Sequence, residues 1–234
     1  MAQALLDVSA ITSGYGEGTV IDNLSLQVKT SEVVGLMGRN GVGKSTLLKT
    51  LMGLIKPRQG SIRMAGRDVA ALEPYEVASA GIGYVPQGRE IFHDFTVEEN
   101  LLLGNLNASR AELLEIYQLF PVLKDRAKSI AGAFSGGQQQ QLAIARALMG
   151  NPRLLLLDEP SEGIQPTIVN EIGQLLKRIA QQKGIAIILV EQNIDMVTSV
   201  CQRVLFMDHG AVNDSVPAAE LVNNPDVLHT YLGL

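Results

Sequence analysis

The sequence predicts an α/β fold, in which a mostly parallel sheet is interrupted by a helical segment. Two short runs, "RLLLLDEP" and "GIAIILVE", are continuously apolar, which is typical of parallel strands buried on both faces. The stretch between them, "PTIVNEIGQLLKRIAQQKG", has apolar residues at helical spacing. From about Glu90 to Gly150 the pattern is also helical, in "TVEENLLLGNL", "SRAELLEIYQLF" and "GQQQQLAIARALMG". Buried strands that alternate with helices make an α/β sheet, here with a mostly helical segment between its strands.

The first third of the chain and its last part add strands and turns. "ALLDVSAITSGYG" and "VIDNLSLQVKTSEVVGLMG" alternate apolar and polar residues between glycine-rich breaks, which indicates strands. "TLLKTLMGLI" has helical spacing and is closed by Gly53 and then Pro57. We expect a hairpin at "GSIRMAGRDV" and another at "RVLFMDHGAVND", the latter followed by a short C-terminal helix.

Length and composition narrow the class of protein. At 234 residues the chain is one large domain, or a domain with an inserted subdomain. Its net charge of −5 argues against a general nucleic-acid binder, so no nucleic-acid partner is expected. The only cysteine, Cys201, excludes an internal disulfide and is expected to be a core thiol. No signal peptide is visible, and the apolar runs fall short of the roughly 20 residues that span a bilayer. We therefore expect a soluble chain that meets a membrane only through a partner.

A phosphate-binding loop is predicted at Gly38 to Ser45. "GRNGVGKS" fits the pattern G-x-x-x-x-G-K-[ST] in full, and it lies between the apolar strand "VVGLM" and the helix "TLLKTLMG". Glycines let backbone N–H groups approach phosphate oxygens, and the helix N-terminus adds a positive dipole. Lys44 would supply charge to the β and γ phosphates, and Ser45 would hold Mg²⁺ through its hydroxyl. A glycine-rich turn with a chance Lys-Ser pair is the alternative, which the flanking strand and helix disfavour.

Two acids follow the run of leucines. Asp158 and Glu159 come at the C-terminal end of a buried strand, where α/β sheets place their sites. Asp158 would hold Mg²⁺, directly or through water, and Glu159 would polarise the attacking water. Alone, such a pair is equally the solvated end of a strand. After a phosphate loop it points to phosphoryl transfer.

A second helix start is suited to an anion. "FSGGQQQQLAIARALMG" opens with Ser135, Gly136, Gly137 and Gln138, in which serine is a plausible N-cap and the glycines leave N–H groups open. One nucleotide in one chain does not need a second anion site. Taken alone, the stretch is equally a capped helix after a loop.

Together these motifs resemble the ATP-binding subunit of ABC transporters. "GRNGVGKS", Gln87 in "GYVPQG", "FSGGQ" and "LLLLDEP" occur in that family's order, and the resemblance covers nearly the whole chain. It implies a P-loop NTPase fold of the ABC type, with an N-terminal antiparallel β-subdomain and an inserted helical subdomain. A single domain, 1–234, would then comprise a β-rich part with the phosphate loop at 1–87, a helical subdomain at 88–150 and the rest of the core at 151–234.

The resemblance also implies how ATP and Mg²⁺ bind. Two such subunits would face each other head to tail, so that each ATP lies between one phosphate loop and the other chain's Ser-Gly-Gly-Gln helix start. Tyr15 lies where an aromatic ring stacks on adenine. The expected nucleotide-binding residues are Tyr15, Gly38, Arg39, Asn40, Gly41, Val42, Gly43, Lys44, Ser45, Thr46, Ser135, Gly136, Gly137 and Gln138. Ser45, Gln87 and Asp158 would hold the metal, and Lys44, Gln87, Glu159 and Gln192 would serve catalysis.

By the same resemblance the chain works at a membrane through other subunits. The expected partners are a second ATP-binding subunit or a second copy of this chain, two integral-membrane permease subunits and, indirectly, a solute-binding protein. The location would be peripheral, at the cytoplasmic face of the inner membrane. "GREIFHDFTVEENLLLG" lies near the groove in which the family's permease inserts a coupling helix. His93 within that stretch is expected to be a surface residue and not a ligand.

Two residues depart from the family's usual pattern. Gln192, in "LVEQN", stands where most members have a histidine that contacts the γ-phosphate, and Gln165 stands where many have an aspartate at the dimer interface. Glutamine can donate a hydrogen bond but cannot become a cation or carry a proton. The site could therefore be a weak ATPase that serves mainly to bind ATP and close the dimer. Alternatively, the change marks a branch of the family.

If Gln192 and Gln165 mark a branch of the family, the branch indicates the function. "LVEQN" is similar to the second ATP-binding subunit of branched-chain amino acid and amide importers, and "GYVPQGREIF" and "DEPSEGIQPT" resemble that of urea-type importers. We expect an ATP-hydrolysing subunit that powers an importer of urea or short amides. The alternatives are a branched-chain amino acid importer ATPase and an ATP-binding, hydrolysis-poor partner of a second ATPase. An ABC-type ATPase acting on DNA or the ribosome would predict a long coiled-coil insertion or zinc cysteines, which the sequence lacks.

Overall fold

The computed structural model describes residues 4–223. Its strands are β1 (Leu6–Ser13), β2 (Ile21–Val28), β3 (Val33–Met37), β4 (Gln59–Met64), β5 (Arg67–Asp68), β6 (Ile82–Val85), β7 (Leu154–Asp158), β8 (Ala186–Val190), β9 (Arg203–Asp208) and β10 (Ala211–Pro217). Its α-helices are α1 (Lys44–Leu51), α2 (Pro74–Ser79), α3 (Val97–Leu103), α4 (Arg110–Leu119), α5 (Pro121–Asp125), α6 (Gly136–Met149), α7 (Pro166–Lys183), α8 (Ile194–Val200) and α9 (Ala218–Asn223). A 3₁₀ turn at Ala131–Ala133 precedes α6.

The central sheet has six strands in the order β10-β9-β3-β8-β7-β6. β6, β7, β8, β3 and β9 run parallel, and β10 closes the edge as an antiparallel partner of β9. Every residue of β3, β7 and β8 is buried, since helices cover one face of these strands and the second sheet covers the other. The carboxyl ends of β3, β7 and β8 therefore meet at one edge, which is where a ligand site is expected.

A second sheet of four antiparallel strands has the order β2-β1-β4-β5. Its strands alternate buried and exposed residues, and Leu6 pairs with Val28 on one side and with Met64 on the other. The buried face joins a core that also contains α1 and one face of the central sheet. The N-terminal antiparallel sheet and the hairpin predicted at "GSIRMAGRDV" are both confirmed.

The other core lies under the helices. Apolar residues of α3, α4, α6, α7 and α8 pack with the opposite face of the central sheet. The predicted helices at "TVEENLLLGNL", "SRAELLEIYQLF" and "GQQQQLAIARALMG" are present as α3, α4 and α6, and the predicted last hairpin and C-terminal helix are present as β9–β10 and α9. The final residues of the chain, 224–234, lie outside the described part. The proposed boundaries at 87/88 and 150/151 stay predictions.

One boundary of the helical pattern differs from the sequence-based expectation. The first helix of the stretch from Glu90 to Gly150 is α3, which begins at Val97. No helix begins near Glu90, because Gly88, Arg89 and Glu90 all have a positive φ, of 83°, 70° and 48°. A left-handed backbone at successive residues is incompatible with a right-handed helix. Thr96 then caps α3 by accepting a hydrogen bond from the backbone N–H of Glu99.

Cys201 is buried, as predicted for a core thiol, and burial raises its pKa to about 12. His93 is exposed, as predicted for a surface residue. Between residues 4 and 223, none of the helices is both long and apolar enough to cross a bilayer.

Candidate nucleotide site

The phosphate loop joins β3 to α1. Gly43 caps α1 with a φ of 108°, which an L-residue adopts only under strain, and Gly41 has a φ of 83°. At Gly38 a side chain is excluded for another reason, because a Cβ would lie 2.2 Å from the carbonyl oxygen of Met207. The glycines of the motif are therefore required by the backbone conformation and by the close approach of β9.

Lys44 is held by the loop that it follows. Its Nζ donates hydrogen bonds to the carbonyl oxygens of Gly38, at 2.7 Å, and Arg39, at 2.9 Å, and only 5% of the residue is exposed. Burial lowers the pKa of Lys44, while the negative charges of Glu159 and Asp158 oppose that shift. The arrangement presents a desolvated ammonium beside the cavity, where an anionic phosphate would bind it strongly.

Asp158 lies at the end of β7, opposite the start of α1. Its Oδ1 accepts a hydrogen bond from the Ser45 hydroxyl at 3.1 Å, and its Oδ2 accepts one from the Tyr84 hydroxyl at 3.4 Å. Burial raises the pKa of Asp158, since only 2% of the residue is exposed, and the charge of Glu159 adds to the rise. The hydrogen bonds from Ser45 and Tyr84 and the charge of Lys49 act in the opposite direction.

The hydroxyl of Ser45 and the carboxylate of Asp158 are suitable ligands for Mg²⁺. The ion binds proteins through one or two carboxylates and hydroxyls, together with substrate phosphates and water. Ser45 and Asp158 supply such a pair, and a desolvated carboxylate with a raised pKa is stabilised by a cation. Within residues 4–223 no cluster of three or more His, Cys, Asp or Glu side chains forms an all-protein metal cage. Ser45 and Asp158 suit an Mg²⁺ ion whose remaining ligands are phosphate oxygens and water.

Glu159 lies at the centre of a hydrogen-bond network. Its φ of 48° turns the chain out of β7, and its backbone N–H donates to Val190 O at 2.9 Å. Gln192 Nε2 donates to Glu159 Oε1 at 2.7 Å and to Asn40 Oδ1 at 2.9 Å. Gln87 Nε2 approaches the other carboxylate oxygen at 3.5 Å. The loop after β8 thus holds the carboxylate from one side, and the loop after β6 approaches it from the other.

Gln87 also contacts the loop after β7, which Arg89 connects to the helical segment. Its Nε2 donates to Glu162 Oε2 at 2.9 Å, and Arg89 donates to the Glu162 carbonyl oxygen at 3.0 Å. The Arg89 guanidinium further reaches Gln139 Oε1 at 3.4 Å and packs against Gly136, where a Cβ would lie 3.2 Å from it. Arg89 therefore joins the loop after β7 to the start of α6.

The Ser-Gly-Gly-Gln stretch forms the start of α6. The Ser135 hydroxyl accepts from the backbone N–H of Gln138 at 3.4 Å, and Gln138 Oε1 accepts from the backbone N–H of Ser135 at 3.1 Å, which makes a capping box. Gly137 is buried, and a Cβ there would lie 2.4 Å from Ile168 Cγ2 on α7. The second glycine is therefore required by helix packing.

Half of the predicted site residues line one cavity of about 610 Å³, which is the size of a typical ligand site. It is lined by Val20, Asn40, Gly41, Gly43, Lys44, Ser45, Thr46, Gln87, Glu159, Ser161, Glu162, Glu191, Gln192 and Asn193. Asp158 adjoins it through Ser45. A neighbouring hollow of about 540 Å³ takes in Arg39 and Val42 on the other side of the loop.

Tyr15 and the four residues from Ser135 to Gln138 do not line that cavity. Tyr15 is 54% exposed in the turn after β1. Ser135 to Gln138 are predicted to bind the partner's ATP, and that role requires them to lie away from this chain's own cavity. Both roles stay predictions.

Sequence reasoning missed several residues of the site. Glu191 follows a buried strand, which is the same signal that identified Asp158, but it belongs to none of the motifs described above. Tyr84, Arg89 and Glu162 had no usable signal. Tyr84 lies in strand β6, which is too short to show a pattern. The contacts of Arg89 and Glu162 depend on loop conformations, such as the left-handed φ of Arg89, that no sequence pattern specifies.

The fold and the site define a P-loop nucleotide-binding domain with an inserted helical part. The family model described as ABC transporter matches residues 21–162. The chain belongs to the ABC transporter family, as an ABC-type ATP-hydrolysing domain, and the predicted ABC-type fold is confirmed.

Curated relatives match along the full chain. A high-affinity branched-chain amino acid transport ATP-binding protein, BraG, of Pseudomonas aeruginosa is 38% identical over 233 residues, covering 98% of this chain and 100% of that protein. A second branched-chain amino acid transport ATP-binding protein of that organism, BraF, is 30% identical, with 100% of this chain and 99% of that protein covered. A lipopolysaccharide export system ATP-binding protein, LptB, of Acidithiobacillus ferridurans is 34% identical, with 98% and 97% covered.

Solved structures share the fold. The protein cbiO1 from Clostridium perfringens, part of the ABC transporter complex cbiONQ, superposes with a TM-score of 0.85 at 27% identity, covering 97% of this chain and 94% of that one. The ATP-binding cassette MJ0796, in a dimeric post-hydrolysis state bound to ADP and Pi, gives a TM-score of 0.80 at 28% identity, with 91% and 98% covered. MJ0796 is therefore a relative of the same fold that forms a dimer with ADP and Pi bound.

Proposed function

We propose that this chain is the ATP-hydrolysing subunit of a membrane importer in the branched-chain amino acid and amide group. The observation that carries the proposal is the position of Glu159, held 2.7 Å from Gln192 Nε2 at the edge of a cavity that also contains Lys44 and Ser45. The 38% identity to BraG over the whole chain supports a branched-chain amino acid as the solute. Urea, which rests on the wording of "EGIQP", is the less supported of the two.

Five side chains in or beside the cavity then have a task in hydrolysis. Lys44 exchanges its hydrogen bonds to the loop carbonyls for the β and γ phosphates of ATP. Ser45, Asp158 and Gln87 would hold Mg²⁺, which supplies positive charge to the phosphate oxygens when it is bound. Glu159 accepts a proton from the water whose oxygen attacks the γ phosphorus, and ADP leaves as the bond to the γ phosphorus breaks.

Gln192 replaces the usual histidine as a hydrogen-bond donor. Its amide is already directed at Glu159 and Asn40, and a γ-phosphate oxygen in the cavity would compete for the same donor. The runner-up function is a subunit that binds ATP but hydrolyses it poorly, which Gln192 and Gln165 favour. Gln165 is exposed at the start of α7 and caps that helix with no side-chain hydrogen bond. The intact Glu159 favours hydrolysis over this alternative.

A dimer completes the site. We propose that Ser135 to Gln138 meet the partner's ATP and that Tyr15 stacks on the adenine of this chain's own nucleotide. The capping hydrogen bond at Ser135 is long, at 3.4 Å, so a phosphate oxygen can replace it at little cost. The partner is a second ABC-type ATP-binding subunit or another copy of this chain.

The permease would bind on a groove of about 510 Å³ beside the helical segment. The groove is largely apolar and lies between the end of α1, α2, β6, α3 and α6. Leu54, Phe92 and Leu103 are among its lining residues. Leu54, Phe92 and Leu103 are 54%, 49% and 40% exposed, which suits burial against a short helix of a membrane subunit. The chain would then be peripheral at the cytoplasmic face of the inner membrane, with a solute-binding protein acting through the permeases.

Reconstitution tests the function directly. The two permease subunits and any second ATP-binding subunit whose genes lie beside that of this chain are incorporated into vesicles with it. The binding protein is added with leucine, with urea or without solute. We expect ATP-dependent uptake, and a rise in ATP turnover, with leucine. Stimulation by urea alone would reassign the solute, and stimulation by neither would remove the importer from consideration.

A further inference from the structure

A buried carboxylate beside the cavity has no role in the chemistry described so far. Glu191 is 2% exposed, and it follows the last residue of β8. Its Oε1 accepts a hydrogen bond from the backbone N–H of Ser161 at 2.7 Å. Its Oε2 accepts from the backbone N–H groups of Gln192, at 3.0 Å, and Asn193, at 3.2 Å. The salt bridges found among residues 4–223 do not include Glu191, so backbone dipoles alone are seen to stabilise it.

Those three N–H groups belong to the two loops that carry the hydrolytic side chains. Ser161 is two residues after Glu159, and Gln192 is the residue that donates to Glu159 Oε1. A second connection between the loops is the hydrogen bond from the Glu159 N–H to Val190 O. The loops after β7 and β8 are thus joined on both sides of the Glu159–Gln192 pair.

We propose that Glu191 is a positioning residue for ATP hydrolysis: its carboxylate joins the loop after β7 to the loop after β8 and so fixes the Gln192 amide against Glu159. Because this role presupposes the hydrolysis proposed above, its test also contains a measurement that needs no turnover. Glu191 itself touches neither water nor phosphate in this role. It acts by holding two backbone segments at a set separation.

The chemistry of the contact explains why a carboxylate is used. Only an ionised carboxylate has two oxygens that both accept and neither donates. A glutamine at this position places an NH₂ group against at least one of the three backbone donors, whichever way the amide is turned. An aspartate keeps both acceptors and the charge but is one methylene shorter. Buried charge-assisted hydrogen bonds of this kind are stronger than neutral ones.

The kinetic test compares Glu191→Gln with Glu191→Asp. Glutamine matches the parent side chain in volume, and aspartate matches it in charge. For a positioning carboxylate we expect kcat to fall about tenfold or more in Glu191→Gln, with the KM for ATP within about twofold, because the phosphate loop is untouched. Glu191→Asp should retain more kcat than Glu191→Gln. The opposite order would mean that the side chain only fills space, and would overturn the proposal.

A matched control accounts for lost stability. Ile188 is fully buried in β8 and lies outside the site, so Ile188→Val weakens the same strand without touching either loop. The melting temperature of each variant is measured beside its kinetics. We expect Ile188→Val to lower the melting temperature and leave kcat unchanged. If kcat falls with the melting temperature in the same proportion in all variants, Glu191 has no special role.

A double-mutant cycle with Gln192→Ala identifies the route of the effect. If Glu191 acts through Gln192, Glu191→Gln should cost less than about twofold in kcat once the Gln192 amide has been removed. If the fold losses of kcat in the two single variants multiply in the double variant, Glu191 does not position Gln192, which would contradict the proposal.

Amide hydrogen exchange covers the case of a parent chain that does not hydrolyse ATP. Exchange at the backbone amides of Ser161 and Gln192 is followed in the nucleotide-free parent and in Glu191→Gln. We expect both amides to exchange at least about tenfold faster in the variant, while the strand amides of β8 keep their protection. Unchanged exchange at Ser161 and Gln192 overturns the proposal, whereas a parent without turnover overturns only the proposed function.

Discussion

Gln192 Nε2 donates a hydrogen bond of 2.7 Å to Oε1 of Glu159 and another of 2.9 Å to Oδ1 of Asn40. A single uncharged amide therefore connects the phosphate loop, the loop after β7 and the loop after β8. Because a glutamine amide does not titrate, this connection keeps the same donors throughout the physiological pH range. A histidine in its place would alter its charge near neutral pH.

Replacement of Gln192 by histidine should make turnover depend on pH. An unperturbed histidine has a pKa of about 6.5, and the neighbouring Glu159 carboxylate favours the charged form and raises that value. Protonated imidazole donates from both nitrogens and neutral imidazole from only one. We expect the kcat of Gln192→His to change between about pH 6 and 8, while the parent profile stays flat over that range. Parallel profiles of the two proteins would mean that position 192 does not meet the reacting groups.

Gln192→Ala removes the donor altogether. Loss of one preorganised donor to a developing charge costs about 10²–10³ in kcat at a hydrolytic site, and we expect a fall at the lower end of that range. Steady-state turnover at saturating Mg²⁺ and ATP measures it. A variant with parental kcat would show that the hydrogen bond to Glu159 is dispensable.

Asp158→Asn should stabilise the nucleotide-free chain at pH 7. Burial raises the pKa of Asp158 above 3.8, so the folded chain keeps its proton at pH values where the unfolded chain has lost it. Stability is therefore lost as the pH rises through that window, and an uncharged asparagine avoids the loss. We expect a rise in Tm of a few degrees at pH 7, since about 1 kcal/mol corresponds to about 2–4 °C in a chain of this size, and a smaller rise below pH 4. An equal gain at both pH values would contradict the assignment, and turnover should be lost in the variant.

Lys44→Ala should weaken ATP binding without unfolding the chain. The ammonium of Lys44 is desolvated and bonds only loop carbonyls, so its removal costs the empty protein little. We expect nucleotide affinity to fall by about tenfold or more, measured by titration calorimetry with Mg²⁺-ATP. Lys29→Ala, at an exposed lysine in the turn after β2, is the control and should bind as the parent does. Equal binding by both variants would exclude Lys44 from the phosphate site.

Two adjacent glycines of α6 should respond differently to alanine. At Gly137 a Cβ would meet Ile168 Cγ2 at 2.4 Å, whereas at Gly136 it would meet the far end of the long Arg89 side chain at 3.2 Å. We expect Gly137→Ala to cost about 1–3 kcal/mol through overpacking. Gly136→Ala should be tolerated in the fold, because alanine favours the helix by about 1 kcal/mol over glycine. Urea unfolding measures both, and an equal loss at the two positions would contradict the packing described.

A charged residue in the apolar groove should separate transport from hydrolysis. Leu103 lines the groove, and Leu106, which is 79% exposed, lies outside it. We expect Leu103→Asp to lose its association with detergent-purified permeases while the isolated chain hydrolyses ATP as the parent does. Leu106→Asp should keep both properties. Retention of the permease by Leu103→Asp would place the membrane contact elsewhere.

Much of the fold could be predicted from patterns that the physics of secondary structure imposes. The apolar runs that form β7 and β8 and the alternation in β1 and β2 gave the two sheets, because burial on two faces or on one face dictates those patterns. Shorter elements left no such signal. Strand β6 has four residues, and helices α2, α5 and α8 have five to seven, which leaves at most two turns in which to recognise a period. Helix α3 is equally short and was predicted within the longer helical stretch "TVEENLLLGNL".

Contacts at the site were predictable where a motif fixes them and not where a loop does. The pairing of Ser45 with Asp158 follows from a strand end meeting a phosphate loop. The three backbone hydrogen bonds to Glu191 depend on how two loops turn after β7 and β8, which no local pattern encodes. Neither the motifs nor the loops identify the solute, because the cavity is proposed to bind a nucleotide and the groove a membrane subunit. The relatives at 38% and 34% identity include an amino acid transport subunit and an export subunit.

The most direct test of the account is Mg²⁺-dependent ATP turnover by the purified chain, with Glu159→Gln beside it and the extent of dimer formation measured at each ATP concentration. Glutamine at 159 keeps the size of the side chain and removes the proton acceptor. We expect the parent to turn over and Glu159→Gln to form an ATP-bound dimer that does not. A parent that closes into an ATP-bound dimer and stays inert would contradict the assignment of Glu159 and Gln192 as a competent hydrolytic pair.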